Sequence, residues 1–168
     1  MAGNVAFDRD VLRAFLRATA GDTTDSEGVA ALRIFVYAAE VWVVPTVSDE
    51  ITRDGSPEEH SWRDLRIGEI HDDSDSYHGC VTTKTYRYMD YHADPRECRV
   101  VVEAECAKLD AFLTLNEDLT RALADRVEQI AITSPGAYWA SLNVPRGAEP
   151  LWTPGPGHPL MGADWWRW

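Results

Sequence analysis

DPRECRVVVEAECAKLDAFLTLNEDL, residues 94–119, is the stretch whose reading decides the fold. Asp94-Pro95-Arg96-Glu97 has the form of a helix start: an aspartate cap, proline at the first helical position, where its missing N–H costs nothing, and glutamate at the third. Apolar Cys98, Val101, Val102 and Cys106 recur at helical spacing, which predicts a helix to about Lys108. Asp110 to Thr114 follows as a short strand that ends in the polar cluster Asn116-Glu117-Asp118. A helix handing over so quickly to a strand belongs to a parallel α/β sheet, and such sheets collect ligands outside the carboxyl ends of their strands.

Working outward, Asn4 to Asp8 is an apolar run ending in an acid, and Asp10 to Leu16 then carries apolar residues at helical spacing. Gly21 to Gly28 is a loop by composition. A second helix is predicted over Val29 to Glu40. Val41-Trp42-Val43-Val44 is a continuous β-branched and aromatic run, as expected of a strand covered on both faces. After Pro45, Thr46-Val47-Ser48-Asp49 has the form of a capping box, which puts Glu50 in the first turn of a helix. Glu58 to Ile70 reads as a helix using Trp62, Leu65 and Ile70, and His71 to Gly79 as a loop. Beyond the opening stretch, a helix is predicted over Leu119 to Val127, a strand over Ile130 to Ile132, and a final helical turn from Ser134-Pro135 to Leu142. The predicted architecture is α/β: a small parallel sheet of four or five strands flanked by helices, over residues 1–142. Residues 143–168 hold five prolines and four tryptophans. This stretch is predicted to be an irregular Pro/Gly/Trp-rich tail lying against its own domain or a partner, with Trp165, Trp166 and Trp168 substantially buried in the functional assembly.

The chain of 168 residues has 28 acidic and 16 basic residues, a net charge of −12, and 45% hydrophobic residues. That excess of negative charge argues against a non-specific nucleic-acid coat, because phosphate contacts dominate such binding. It leaves room for a metal-dependent nuclease, whose site is itself acidic and whose cations reverse the local field. No apolar run approaches the roughly 18 residues of a membrane span, and no basic-then-apolar leader is seen, so no membrane partner is expected. Cys80, Cys98 and Cys106 read as reduced thiols of a cytoplasmic protein, Cys98 and Cys106 being two turns apart on one helix. Sequence fingerprints of nucleotide-cofactor enzymes and of G-x-S-x-G hydrolases are absent.

Acids gather at the predicted strand–helix junctions: Asp8, Glu50, Asp94, Glu97 and Asp118, with Asn116 beside the last. Oxygen donors with few histidines and no zinc-type cysteine spacing suit Mg²⁺ or Mn²⁺. Taken singly, each has a plain structural role: Asp94, Asn116 and Asp118 as caps, Glu50 as an acid favoured by a helix dipole. Their joint placement, one acid per crossover on the same edge, is what points to chemistry.

Four pieces in order carry a resemblance: VAFDRDVL with Asp8, VWVVPTVSDEI with Glu50, the stretch from Asp94 to Leu119, and QIAITSPGAYWASL. Together they resemble the PIN domain, the metal-dependent ribonuclease fold used by VapC-type toxins, over about residues 3–142. The resemblance implies hydrolysis of RNA phosphodiester bonds with Mg²⁺ or Mn²⁺ as cofactor. It makes Asp8, Glu50 and Glu97 the first three catalytic acids and matches the fourth to Asn116 or Asp118, with Asp118 the catalytic acid of the two, both of them metal ligands, and Asp94 a neighbouring acid of the metal site. This sequence departs from the family in having glutamate at 97 and an amide at 116. RNA is the implied substrate, and an antitoxin protein and a second copy of the chain are the implied protein partners.

Lys84, Arg87 and Arg96, with Arg99, are the cations nearest the proposed site in sequence; Lys84, Arg87 and Arg96 are the candidates to bind the RNA substrate, and Lys84 and Arg87 lie in a tyrosine-rich stretch suited to bases and phosphates. The bland reading of that stretch is a packed tyrosine helix. Two further classes compete. One is a non-catalytic PIN-like interaction module with a weakened metal site. The other is an acid-phosphatase-like hydrolase, disfavoured because its acid motif is missing.

Overall fold

A computed structural model describes residues 3–168. Five parallel strands form one sheet in the order β3-β2-β1-β4-β5, made of β1 (Gly3–Phe7), β2 (Ala39–Val43), β3 (Ile67–Glu69), β4 (Ala111–Leu113) and β5 (Ala131–Thr133). Eight α-helices connect or follow them: α1 (Arg9–Thr19), α2 (Ser26–Tyr37), α3 (Pro45–Asp54), α4 (Pro57–His60), α5 (Asp75–Tyr88), α6 (Pro95–Cys106), α7 (Glu117–Leu123) and α8 (Pro135–Ser141). The fold class is therefore the expected α/β, with five strands. Val5, Ala6 and Phe7 of β1 and Ala111, Phe112 and Leu113 of β4 are completely buried, as continuous apolar strands are when helices cover both faces. α1 and α8 pack on α2, while α3 and α5 pack on α6.

The chain winds outward from β1 to β3 and then returns to the other side of β1 to place β4. The boundary between β1 and β4 is thus the topological switch point, where crossovers on either side leave a crevice beyond the strand ends.

Helix α6 has the predicted start, with the Asp94 side chain accepting from the amides of Arg96 and Glu97 and Pro95 at the first position. It ends in a Schellman motif. The amide of Leu109 donates to the carbonyl of Ala104 and that of Lys108 to Glu105, with Lys108 in the left-handed region at φ 60°. That turn delivers the chain directly into β4.

Three local expectations are corrected. α3 has no capping box: Val44 is the cap and makes no side-chain cap bond, and Pro45 is the first residue. Thr46 instead donates its amide and hydroxyl to Glu103 of α6, at 3.0 and 2.7 Å, which ties α3 to α6 and puts Glu50 in the second turn. The helix expected over 58–70 is only α4 and a 3₁₀ turn (Ser61–Asp64), and the chain then turns into β3. Gly68 explains the strand: it pairs with Trp42, whose ring would lie 2.4 Å from a Cβ at that position. The cysteines are the third correction. Cys80 of α5 is disulfide-bonded to Cys106 of α6, with Cα atoms 6.2 Å apart, and only Cys98 is free. Residues 75–79 start helix α5 rather than continuing a loop, and α5 packed on α6 brings the two sulfurs together. The thiol argument for a reducing compartment falls with that correction; among the described residues, no helix is long and apolar enough to cross a membrane.

The tail contains no regular element and docks on its own domain. The Leu151 amide donates to the Val36 carbonyl, Trp152 packs edge-on against Phe35, and the Trp168 amide donates to the Tyr37 hydroxyl. Trp166 is buried, as expected, whereas Trp165 and Trp168 are half-buried, the latter with Arg33 and Arg146 over its ring.

Candidate functional site at the switch point

Parallel pairing aligns Phe7 with Leu113, so the residues that follow, Asp8 and Thr114, emerge side by side at the crevice. The Asp8 amide still donates to the Leu113 carbonyl, at 2.9 Å, which holds the side chain at the strand end. Asp8 is 5% exposed. One carboxylate oxygen accepts from the Arg9 amide at 2.8 Å and from Arg96 Nη1 at 3.1 Å; the other accepts from the Thr114 hydroxyl at 3.1 Å. Burial raises the Asp8 pKa, and the pull of Arg96, the Arg9 amide and Thr114 in the other direction does not cancel it.

Arg96, the second residue of α6, joins Asp8 to Glu50. Its Nε and Nη2 donate to the two Glu50 oxygens at 2.7 and 2.8 Å, the parallel two-bond geometry that guanidinium and carboxylate favour. All three guanidinium nitrogens are thereby used on two acids, and the two carboxylates raise the Arg96 pKa although burial opposes them. The Thr46–Glu103 link between α3 and α6 is what sets Glu50 opposite Arg96.

The third acid lies one residue on. Glu97 accepts from the Asn116 side-chain amide at 2.6 Å and makes a short contact with His92 Nε2. Asn116 caps α7 through its side-chain carbonyl oxygen, which accepts from the Leu119 amide, and its backbone N–H donates to the Thr114 hydroxyl at 3.1 Å. A single hydrogen-bonded run therefore passes from His92 through Glu97, Asn116, Thr114, Asp8 and Arg96 to Glu50.

Of the acids and amide expected at this edge, the structure joins Asp8, Glu50, Glu97 and Asn116. It does not join Asp94, which is exposed and spends its carboxylate on capping α6. Nor does it join Asp118, whose side chain is 78% exposed and paired with Arg121. Lys84 and Arg87 also lie elsewhere. Lys84 pairs with buried Glu105 and with Glu128, and Arg87 with Glu128. Glu105 sits roughly 13 Å of helical rise along α6 from Arg96. Tyr88 of the same face donates to Glu105 at 2.7 Å, so this side of α5 is a packed network, as the bland reading had it.

Thr114 and His92 are the members that sequence reasoning missed. Thr114 could have been found from its place one residue past a strand next to β1. His92, two residues before a helix cap, carries no signal of its own.

Beside Glu50 and Arg96 runs a groove of about 790 Å³ between α3, α5 and α6. Arg53, Arg99, Thr82 and Tyr86 line it, and Tyr86 is 70% exposed. As a donor set, Asp8, Glu50 and Glu97 offer hard carboxylate oxygens of the kind Mg²⁺ and Mn²⁺ take. Among the described residues, no three His, Cys, Asp or Glu side chains converge closely enough to hold a metal ion, and the positive charge between Asp8 and Glu50 is that of Arg96.

Fold and site together define a parallel α/β chain with an arginine-bridged acidic edge at its switch point. No family model matches the chain, and no curated protein matches it.

Proposed function

We propose that this chain is a metal-dependent ribonuclease of PIN type, hydrolysing RNA phosphodiester bonds at the carboxyl ends of β1 and β4. The observation that carries the reading is the hydrogen-bonded run that gathers Asp8, Glu50, Glu97 and Asn116 from four separate crossovers. Asp8, Glu50 and Glu97 are the side chains that would hold Mg²⁺ or Mn²⁺, which needs them to draw closer than they stand with Arg96 between Asp8 and Glu50. Bound there, the ion would supply an acidified water and neutralise charge developing on phosphate. Asn116 would orient Glu97 through its amide rather than ligate, since its carbonyl is engaged in capping. Thr114 fixes the rotation of the Asp8 carboxylate in the same way. The neighbouring groove would take the strand, with Tyr86 stacking on a base and Arg53 and Arg99 near phosphates, in place of Lys84 and Arg87. The toxin form of this reading adds an antitoxin that covers the edge; expression without growth arrest by a chain that cleaves RNA would remove that addition.

One observation favours a second reading, a non-catalytic interaction module: Arg96 already balances charge on Asp8 and Glu50. Labelled single-stranded RNA incubated with the purified chain separates the two. The ribonuclease reading expects cleavage with Mn²⁺ that stops with chelator and in Asp8→Asn. Absence of cleavage with every divalent metal tried leaves the interaction module, and cleavage undiminished in Asp8→Asn assigns the activity to another protein in the sample.

A further inference from the structure

Resting on that reading, we infer that Arg96 is a built-in counter-cation which excludes the divalent metal, so that guanidinium and metal are alternative occupants of the Asp8–Glu50 pair. Asp8 is buried and both Glu50 oxygens are bonded to one guanidinium, so an ion bridging these two acids must take oxygens that Arg96 now holds. The charges favour exchange. Asp8 and Glu50 share the single charge of one guanidinium, and a divalent ion would balance both; Glu97 contacts His92 instead.

The arginine also has somewhere to go. Its side chain is 32% exposed, and it lines the groove together with exposed Asp49. Among the described residues, the Arg96 guanidinium hydrogen-bonds only the two acids it bridges and has no aromatic ring over it. Rotation of the side chain out of the crevice needs no movement of α6, whose start is fixed by Asp94 and Pro95. Swung outward, the guanidinium would lie over the groove that Asp49 also lines.

The test is Mn²⁺ binding to the full chain, read by calorimetry and by the electron paramagnetic resonance signal of free Mn²⁺, with no RNA present. Arg96→Gln is expected to bind at least tenfold more tightly than wild type, about 1.4 kcal/mol. Adding Asp8→Asn to Arg96→Gln should abolish the gain. Equal or weaker binding by Arg96→Gln overturns the inference and makes Arg96 a fixed part of the edge. If Arg96→Gln is unfolded without metal, recovery of its circular dichroism on adding Mn²⁺ supports the exchange. If Mn²⁺ does not restore it, Arg96→Lys decides, because an ammonium cannot grip both acids with a planar fork. Severalfold tighter binding by Arg96→Lys keeps the inference, and unchanged binding discards it. Tighter Mn²⁺ binding without RNA cleavage would discard the ribonuclease and keep the exchange; metal-dependent cleavage by wild type with no gain in Arg96→Gln would do the reverse.

Discussion

Two arginine–carboxylate clusters flank the start of α1, and they are built on opposite charge balances. On one side, Glu59 of α4 receives Arg9 Nε at 2.7 Å and Arg13 Nε at 2.9 Å, while its other oxygen accepts from the Ser56 amide in a capping box. Asp54 completes this cluster through Arg9, so two arginines face two acids. On the other side, a single arginine, Arg96, serves Asp8 and Glu50, with Glu97 next to it in sequence. Both Glu59 and Asp8 are 5% exposed, yet their pKa values move in opposite directions. The hydrogen bond from Arg9, aided by the Ser56 amide and Arg13, outweighs burial and holds Glu59 down at about 2. At Asp8 burial wins. The difference teaches where charge is structural and where it is held in reserve: the Glu59 cluster is saturated, and the Asp8 cluster is short of positive charge.

The comparison breaks first on activity. Asp8→Asn removes a charge that the ribonuclease reading needs and is expected to lower Mn²⁺-dependent cleavage at least about a thousandfold, about 4 kcal/mol in the barrier. Glu59→Gln should leave the cleavage rate of the folded fraction within about threefold. Equal losses in the two variants would mean that the clusters do not differ in kind.

Stability should show the reverse order. Glu59→Gln leaves Arg9 and Arg13 facing a neutral amide in a buried position, and is expected to cost about 3 kcal/mol in urea unfolding near neutral pH. Asp8→Asn is expected to be neutral or stabilising, since ionised Asp8 is disfavoured by burial. A larger loss in Asp8→Asn than in Glu59→Gln would overturn the assignment of the structural role.

The pH dependence sharpens the contrast. Glu59, with its folded pKa lowered from 4.5 to about 2, contributes stability that is fully present above about pH 4.5 and is lost as pH falls toward 2. Asp8, with its folded pKa raised above 3.8, does the opposite: its contribution is present at low pH and is lost as pH rises through the folded value. Between pH 6 and pH 3, wild type should lose about 2 kcal/mol through Glu59. Glu59→Gln should therefore show a shallower acid loss than wild type, and Asp8→Asn a steeper one, in urea titrations at the two pH values. Identical slopes in all three proteins would remove the electrostatic distinction.

The same contrast marks what could be read without coordinates. Asp8 and Glu97 were legible because one follows an apolar run and the other opens a helix at a strand–helix junction, and local pattern carries that information; the capping box that pointed to Glu50 does not form, and Glu50 lies in the second turn of α3. β1, β2, β4, β5 and α6 were legible for the same reason. β3 was not, because its three residues carry no alternation and its glycine makes sense only beside Trp42. The disulfide was hidden with α5, whose first residues look like a polar loop. From sequence Arg96 is a cation for RNA, since nothing local reveals that the link between Thr46 and Glu103 aims Glu50 at it. Capping residues were the hardest to sort, because Asp94, Asn116 and Asp118 all satisfy the same helix-start rule and only tertiary contacts tell them apart.

Asn116 and Asp118 give the smallest effects and the sharpest test of that sorting. Two residues apart at the start of α7, they differ in what they touch. Asn116 bonds Glu97 and caps α7, while Asp118 is exposed beside Arg121. Asn116→Ala should cost about 1 kcal/mol of stability through the lost cap. It should also slow cleavage about tenfold, because Glu97 loses the donor that orients it. Asp118→Ala removes only an exposed first-turn acid and an exposed ion pair, so stability should change by no more than about 0.5 kcal/mol and cleavage by less than about twofold. Urea unfolding and Mn²⁺-dependent cleavage of the two variants, measured side by side, check both statements. A tenfold loss in Asp118→Ala with none in Asn116→Ala would place Asp118 at the reacting edge, and with it a shift of α7 toward Asp8 that the present arrangement does not contain.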